Sequence, residues 1–423
     1  MYYVGIDIAK DKHYICVLDE IKEFAIKPFS ISSDIKGLLS LLKKLDSISL
    51  DKSNFLIGLE STGVYSENIY EFLKEYDYKV ILLNSYQTSK YRDFSTIKKV
   101  KTDLIDSFVI AELLATGKYK ASFISNDEYT SLKVLNRAKK SIENKIKNIK
   151  REISTAIAVA NPEITEVFPN IFSKTALILL SNYPTATELK KALPEKLVKL
   201  FRKVKGNNFS LQKAKKVVNN ATNSIYSGKA YKERSLMIKS NINILLLLLQ
   251  EKEILEVKIK EFIDNNLDTG NNSVIQNLKT IPGVSDKTIV AVLAECGNLN
   301  RFNNIKAFLG YLGFYPTKYE SGKISITGSL AKRGIPIAKQ ALYLAAVASI
   351  KHNKEMKKLF MDKVSNGKSK KEALIIVAKK LASIMYALFK HNTTYTPNRV
   401  FNIIPAKEIH LILYSKNNEF LKN

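Results

Sequence analysis

In KVKTDLIDSF, Asp103 and Asp106 stand three residues apart in a segment of helical periodicity, so both carboxylates can leave one helix on the same side. Two further acids are placed to join them. Asp7 lies in YYVGIDIA, an apolar run with β-branched residues that predicts a strand, and Glu60 closes FLIGLE, a second such run. In open sheets the strand ends line a crevice. Four hard oxygen donors suit Mg2+ or Mn2+. A pair of such ions about 3.5–4 Å apart can activate an attacking oxygen and stabilise a leaving one in phosphodiester chemistry. Carboxylates held this close raise one another's pKa unless positive charge neutralises them, and a lysine could serve in place of a metal. Taken singly, each acid also has an ordinary reading, Asp103 as a helix cap or first-turn acid favoured by the helix dipole.

A fifth residue could act as a nucleophile. Ser321 in YPTKYESGKISITG precedes a glycine, which lets a backbone or a phosphate approach its hydroxyl. Lys323, Lys332, Arg333 and Lys339 follow it with positive charge. By composition alone this Ser-Gly is a turn.

The elements that must position these residues are legible as a pattern. YYVGIDIA, HYICVLD and EFAIKPF predict an antiparallel meander, followed by a helix over 35–45, the strand FLIGLE, the helix VYSENIYEFLKEY, the strand YKVILLN and a helix over 102–116. The order βββαβαβα is that of the ribonuclease-H-like fold. A doubly wound nucleotide-binding domain would need a glycine-rich turn after its first strand, and AKDK has none. Residues 128–265 predict helices almost throughout. Leu132, Leu135, Ala138, Ile142, Ile146, Ile149 and Ile153 step by three or four, as in a coiled-coil seam, and a second long helix over about 235–265 carries the run Leu245–Leu249. NNLDTGNN, 265–272, reads as a linker. A compact helical region follows, with a last helix over 370–390 and a polar end. The expected division is 1–125, 126–268, 273–395 and a tail over 396–423.

Charge points to the partner. The chain of 423 residues carries 67 Lys+Arg against 40 Asp+Glu, a net charge of +27, which predicts a polyanion, nucleic acid first and an anionic membrane second. Lys133–Arg151 holds eight basic residues against Glu143 alone, among them Lys139, Lys140, Lys147, Lys150 and Arg151. Such a run is usually a solvated face. A second run over 189–216, in a chain already this basic, favours a nucleic-acid surface. Cys16 and Cys296 lie far apart in apolar runs and read as buried thiols, and the four histidines lack metal-ligand spacing. No window offers the roughly 18 apolar residues of a membrane span, and Asp7 and Asp11 interrupt the first apolar stretch as a signal peptide would not allow. A cytosolic protein is expected. LKTIPGVSDKTIVAVLAECG, 278–297, has the shape of a helix-hairpin-helix whose turn and helix N-terminus could grip a phosphate. Ser285 stands where the usual second glycine would, so a structural αα-turn is the alternative.

These motifs together resemble the DEDD transposases of the insertion-sequence one-ten family, described as bridge-RNA-guided recombinases. GIDIAKDKHYICVLD, LESTGVY and KTDLIDSFVIAELL match the resolvase-like (RuvC-like) part, placing its four acids on Asp7, Glu60, Asp103 and Asp106. RAKKSIENKIKNIKREI is similar to its coiled coil, and IPGV with FYPTKYESGKISITGSLAKRG to its transposase domain, where the nucleophilic serine falls on Ser321. Lys339 stands where the family usually shows Arg, so a point charge replaces a bidentate fork. The resemblance implies a transposase of a mobile element in the bacterial cytosol or nucleoid. It implies DNA recombination through a phosphoserine bond, with Mg2+ or Mn2+ on the four acids. It also implies donor and target DNA as partners, a structured noncoding RNA that chooses sites, and dimers assembling into a synaptic tetramer. Three rivals use the same residues differently: a junction resolvase or nuclease attacking with water, a non-catalytic nucleic-acid-binding protein, and an actin-like or sugar-kinase ATPase. The last would need a second glycine-rich hairpin where 128–265 predicts helices.

Overall fold

A computed structural model describes residues 1–61, 65–95, 102–204, 206, 209–267, 273–321, 324–331 and 333–397. The chain divides into two compact units, Met1–Ile124 and Ser125–Asn423. The first is mixed α/β and the second almost wholly helical.

The first unit contains strands β1 (Tyr2–Ile8), β2 (Lys12–Leu18), β3 (Phe24–Ser32), β4 (Phe55–Glu60) and β5 (Lys79–Leu83). Helices α1 (Ile35–Asp46), α2 (Tyr65–Glu75), α3 (Ser85–Ser95) and α4 (Asp103–Ala115) complete it. The sheet order is β3-β2-β1-β4-β5, antiparallel across the opening meander and parallel from β1 through β4 to β5. Side chains alternate along each strand, so the sheet has two different faces. Val4, Ile6 and Ile8 join Leu41, Leu45, Ile69 and Leu73 of α1 and α2 in one core. The opposite face of β1, Tyr3–Gly5–Asp7, lies under α4. Asp34 starts α1 by accepting the Gly37 N–H at 2.7 Å, and the Thr102 hydroxyl accepts from Ile105 to start α4.

Two glycines set how closely α4 approaches. Gly5 and Gly58 are register partners in β1 and β4. A Cβ on Gly5 would stand 2.1 Å from the Ser107 carbonyl oxygen and 2.5 Å from the Ala111 nitrogen. One on Gly58 would stand 2.7 Å from Leu114 Cδ1. Backbone cannot yield as a side-chain tip can, so the first position admits nothing larger than glycine.

The second unit is strung on two long helices, α5 (Asp127–Ala160) and α11 (Tyr231–Asn266). Tyr129 and Leu132 share a core with Ile259 and Ile263, while Ile153, Ala156 and Ile157 share another with Ile238, Ile242 and Leu245. The two helices therefore run antiparallel. The second of these cores is filled by α6 (Ile164–Val167), α7 (Lys174–Asn182), α8 (Ala186–Leu189), α9 (Pro194–Phe201) and α10 (Leu211–Thr222). The first is filled by α12 (Val274–Lys279), α13 (Asp286–Cys296), α14 (Ile305–Leu312), α15 (Pro336–His352), α16 (Lys354–Ser365) and α17 (Lys370–His391). The expected seam on α5 holds at its ends, but Ala138 is exposed while Asn136 and Lys139 are buried. The helix turns a different stripe toward α13 there. Glu295 on α13, 4 % exposed, receives Arg137 Nε and Nη2 at 2.8 Å each, and that fork draws α5 onto α13.

The segment whose Ser-Gly reads by composition as a turn contains a hairpin, β6 (Pro316–Ser321) with β7 (Ile324–Leu330), antiparallel, with Ser321 opposite Ile324. Alternating β-branched residues in ISIT explain it. Cys16 and Cys296 are buried and free, and burial pushes both thiols up to about 12. No helix among the described residues is long and apolar enough to cross a membrane.

Gly5→Ala is expected to destabilise the first unit by about 3 kcal/mol, because the added methyl meets two backbone atoms. Gly310→Ala in α14, where a Cβ would meet nothing within 4 Å, is the control and should be neutral or slightly stabilising. Chemical denaturation of the two variants checks both.

Candidate functional site

The acids inherit their places from that close contact. Asp7 is two residues beyond Gly5 and Glu60 two beyond Gly58, so each stands on the face of its strand that α4 covers. Ile6 pairs with Leu59 across the parallel ladder, so Asp7 and Glu60 are the next residues in register, on neighbouring strands. Both are half-buried. Asp103 and Asp106 occupy the first turn of α4, the first one turn before Ser107 and the second immediately before it, and the Ser107 carbonyl lies over Gly5. Asp103 is exposed and Asp106 is 8 % exposed.

A buried carboxylate needs a counter-charge, and Asp106 has one. Arg92 on α3 donates from Nη1 to Asp106 Oδ1 at 2.5 Å. Positive charge beside this acid is thus supplied by a guanidinium, a partner that sequence reading did not single out. Nothing in SKYRDFS marks Arg92 for this. The only available signal was the physical requirement that a buried aspartate be neutralised. Among the described residues, no group of three or more His, Cys, Asp or Glu is gathered closely enough to hold a metal ion. The frame therefore offers hard oxygen donors from three elements on one side of the sheet, with one of them turned to Arg92.

Ser321 ends β6 and is exposed, opposite Ile324 in the hairpin register. Lys323 and Lys332 lie outside the described residues. Arg333 is exposed, and its carbonyl accepts from Lys339 Nζ at 2.7 Å. That ties the Lys339 ammonium to the loop backbone.

The basic run on α5 divides. Lys147 and Arg151 are exposed, the latter donating to Asn148 at 2.8 Å. Lys150 lies 4.9 Å from the centroid of the Phe172 ring, and Lys140 pairs with Glu143 at 3.6 Å. Lys139 departs from the expected solvated face: it is 7 % exposed, and burial pulls its ammonium down against the opposing pull of Glu143 and Glu256. The periodicity of charge could not show this, because which stripe of α5 is covered there is set by tertiary packing against α13 and α15.

Arg92→Met removes the guanidinium from a mostly buried carboxylate and is expected to lower stability by about 2 kcal/mol, less than a fully buried pair because Arg92 retains some exposure. The double variant R92M/D106N should recover most of that loss in denaturant titration.

Comparison with known proteins bears on all of this. A family model described as a transposase matches residues 4–162, and one described as "Transposase IS116/IS110/IS902 family" matches residues 275–361. The chain is 26 % identical to the pilin gene-inverting protein of Moraxella bovis over 166 residues, 34 % of this chain and 52 % of that protein. It is 27 % identical over 127 residues to the transposase for insertion sequence element IS1111A of Coxiella burnetii, 29 % of this chain and 35 % of that one. The chain thus spans about half or less of these curated relatives. A 42 kDa protein of insertion element IS900 from Mycobacterium paratuberculosis aligns over 93 % of this chain and 97 % of its own length at 20 % identity. With both matched regions holding the residues described above, the chain belongs to the insertion-sequence transposase family of IS110.

Proposed function

We propose that this protein cuts and rejoins DNA as a transposase or recombinase, with Ser321 as nucleophile and Asp7, Glu60, Asp103 and Asp106 as a divalent-metal site. One observation carries the reading: the register pair Asp7 and Glu60 stands on the same α4-covered face whose covering helix opens with Asp103 and Asp106. The sheet order and the matched transposase models support a ribonuclease-H-like assignment for the first unit. The relatives' names, a gene-inverting protein and a transposase, agree with strand exchange as the activity.

The donor set fits Mg2+ or Mn2+ in chemistry, since all four side chains are hard oxygen ligands. When bound there, such an ion would supply Lewis-acid stabilisation of charge on phosphate oxygens. Asp7 and Glu60 would hold it from the strands, and Asp103 and Asp106 from the first turn of α4. Asp106 is held here by Arg92; released from it, Asp106 would join the other three donors, and the guanidinium would be a donor for a phosphate oxygen. Ser321 contributes the covalent step: its Oγ bonds to phosphorus as the bond to one deoxyribose oxygen breaks. The serine proton is released, and the departing oxygen takes one up. The phosphoserine keeps the bond energy for rejoining to a new strand. Exposed Lys147 and Arg151 would follow the DNA backbone. Choice of sequence would fall to a structured noncoding RNA, and the working assembly would be a dimer that pairs into a synaptic tetramer in the bacterial cytosol.

The alternative is a nuclease that attacks with water and uses the same acids. Ser321→Ala separates the two. Under strand exchange it abolishes covalent protein–DNA adducts and lowers recombination at least a thousandfold, on the order seen for loss of a nucleophile. D106N lowers cleavage comparably. Cleavage that persists in S321A without any adduct establishes the water mechanism instead.

A further inference from the structure

A second site, apart from the acids and the serine, lies inside the helical unit. Between α5, α13 and α15 is a cleft of about 240 Å3 lined by Asn136, Lys139, Lys140, Lys287, Ser285 and Thr288. Asn136 is 3 % exposed, and its Nδ2 has no hydrogen-bond partner among the described residues. A buried amide nitrogen is a donor, so the group it lacks is an acceptor. The same cleft receives the N-terminus of α13, an eleven-residue helix whose cap residue, Ser285, makes no side-chain capping bond to the first turn. Its hydroxyl lies 3.4 Å from Thr288 Oγ1 instead. First-turn N–H groups and the helix dipole favour an anion at this position.

Charge around the cleft leans the same way. Glu143 also lines it and pairs with Lys140 at 3.6 Å. Lys287 is held at 2.9 Å by Glu256, which also meets Lys252 at 3.5 Å. Lys139 pairs directly with no carboxylate among the described residues, and it is buried among these groups. Three ammonium groups, Lys139, Lys140 and Lys287, line the cleft against one carboxylate, Glu143, leaving a positive excess beside an unmatched donor. One amide, the hydroxyl proton left over from the Ser285–Thr288 pair and a helix N-terminus converge there as neutral donors, an arrangement that binds a tetrahedral oxyanion from several sides.

We propose that this cleft binds a phosphate group, anchored by Asn136 Nδ2 and the first turn of α13 and balanced by Lys139. The turn before α13 is the one whose sequence resembles a helix-hairpin-helix. Here, however, a partner helix supplies the decisive donor: Asn136 comes from α5. The phosphate can belong to a nucleic-acid backbone or be free in solution. The strand-exchange reading bears only on the first source.

The test uses the full chain. Thermal unfolding is followed with inorganic phosphate against sodium chloride at equal ionic strength, and binding of a fluorescein-labelled 30-base-pair duplex by anisotropy. Wild type should gain thermal stability with phosphate, as linkage requires of a ligand that binds the folded state. Asn136→Asp places a negative charge where the acceptor would sit and should abolish that gain. It should also weaken the duplex by about tenfold or more. Thr288→Val keeps the shape, removes one donor and should halve the phosphate-induced shift or more, so the proposal remains testable if N136D folds poorly. Loss of the phosphate effect with unchanged duplex affinity assigns the site to free phosphate. Equal phosphate stabilisation in wild type and both variants, or none in wild type, overturns the proposal. The phosphate-induced shift is read without any divalent metal, so a failure here is distinguishable from a failure of the metal site.

Discussion

Gly5 and Gly58 face each other across two parallel strands, and α4 lies on the sheet only because neither carries a side chain. With the Ser107 carbonyl 2.1 Å from where a Gly5 Cβ would be, the helix sits against the backbone of β1 itself. Everything proposed for the acids follows from that separation. Strand periodicity puts Asp7 and Glu60 one step of two residues beyond the glycines, and the helix that presses there begins with Asp103 and Asp106. A side chain at the contact would lift the helix and carry its first turn away from the strands.

The second constraint is neutralisation. In both units the chain obeys the rule that a buried carboxylate keeps a cation within hydrogen-bond reach. Asp106 has Arg92, and Glu295 has both arms of Arg137. The two pairs differ in consequence. Arg137 fixes one helix to another through a fork of two equal bonds. Arg92 meets Asp106 through Nη1 at 2.5 Å, on an acid in the first turn of α4. Strong net positive charge in this chain is therefore of two kinds: exposed charge free for phosphates, and charge already committed to the fold.

Much of the first unit was legible because its signals are local. Apolar runs bounded by turn residues marked five strands, and Thr102 followed by an acid-rich first turn marked the start of α4. The four acids were proposed as a set from the strand order, the i, i+3 spacing of Asp103 and Asp106, and the family resemblance. What could not be read was which partner each charge finds. Arg92 and Asp106 are 14 residues apart on different helices, and Arg137 and Glu295 are 158 apart. Those distances in sequence are closed by tertiary packing, which no periodicity reports. For the same reason Lys139 looked like one more member of a solvated stripe, and Ser321 read as part of a turn where it ends a strand.

The central claim is that the face beneath α4 holds a divalent ion through these carboxylates. Titration of the intact protein with Mn2+, followed by the electron paramagnetic resonance signal of the free ion, tests it without requiring activity. Wild type should take up at least one ion, with D7N and D106N each weakening uptake tenfold or more and R92M tightening it by removing the competing guanidinium. Uptake that is absent in wild type, or unaltered in D7N and D106N, would contradict the account.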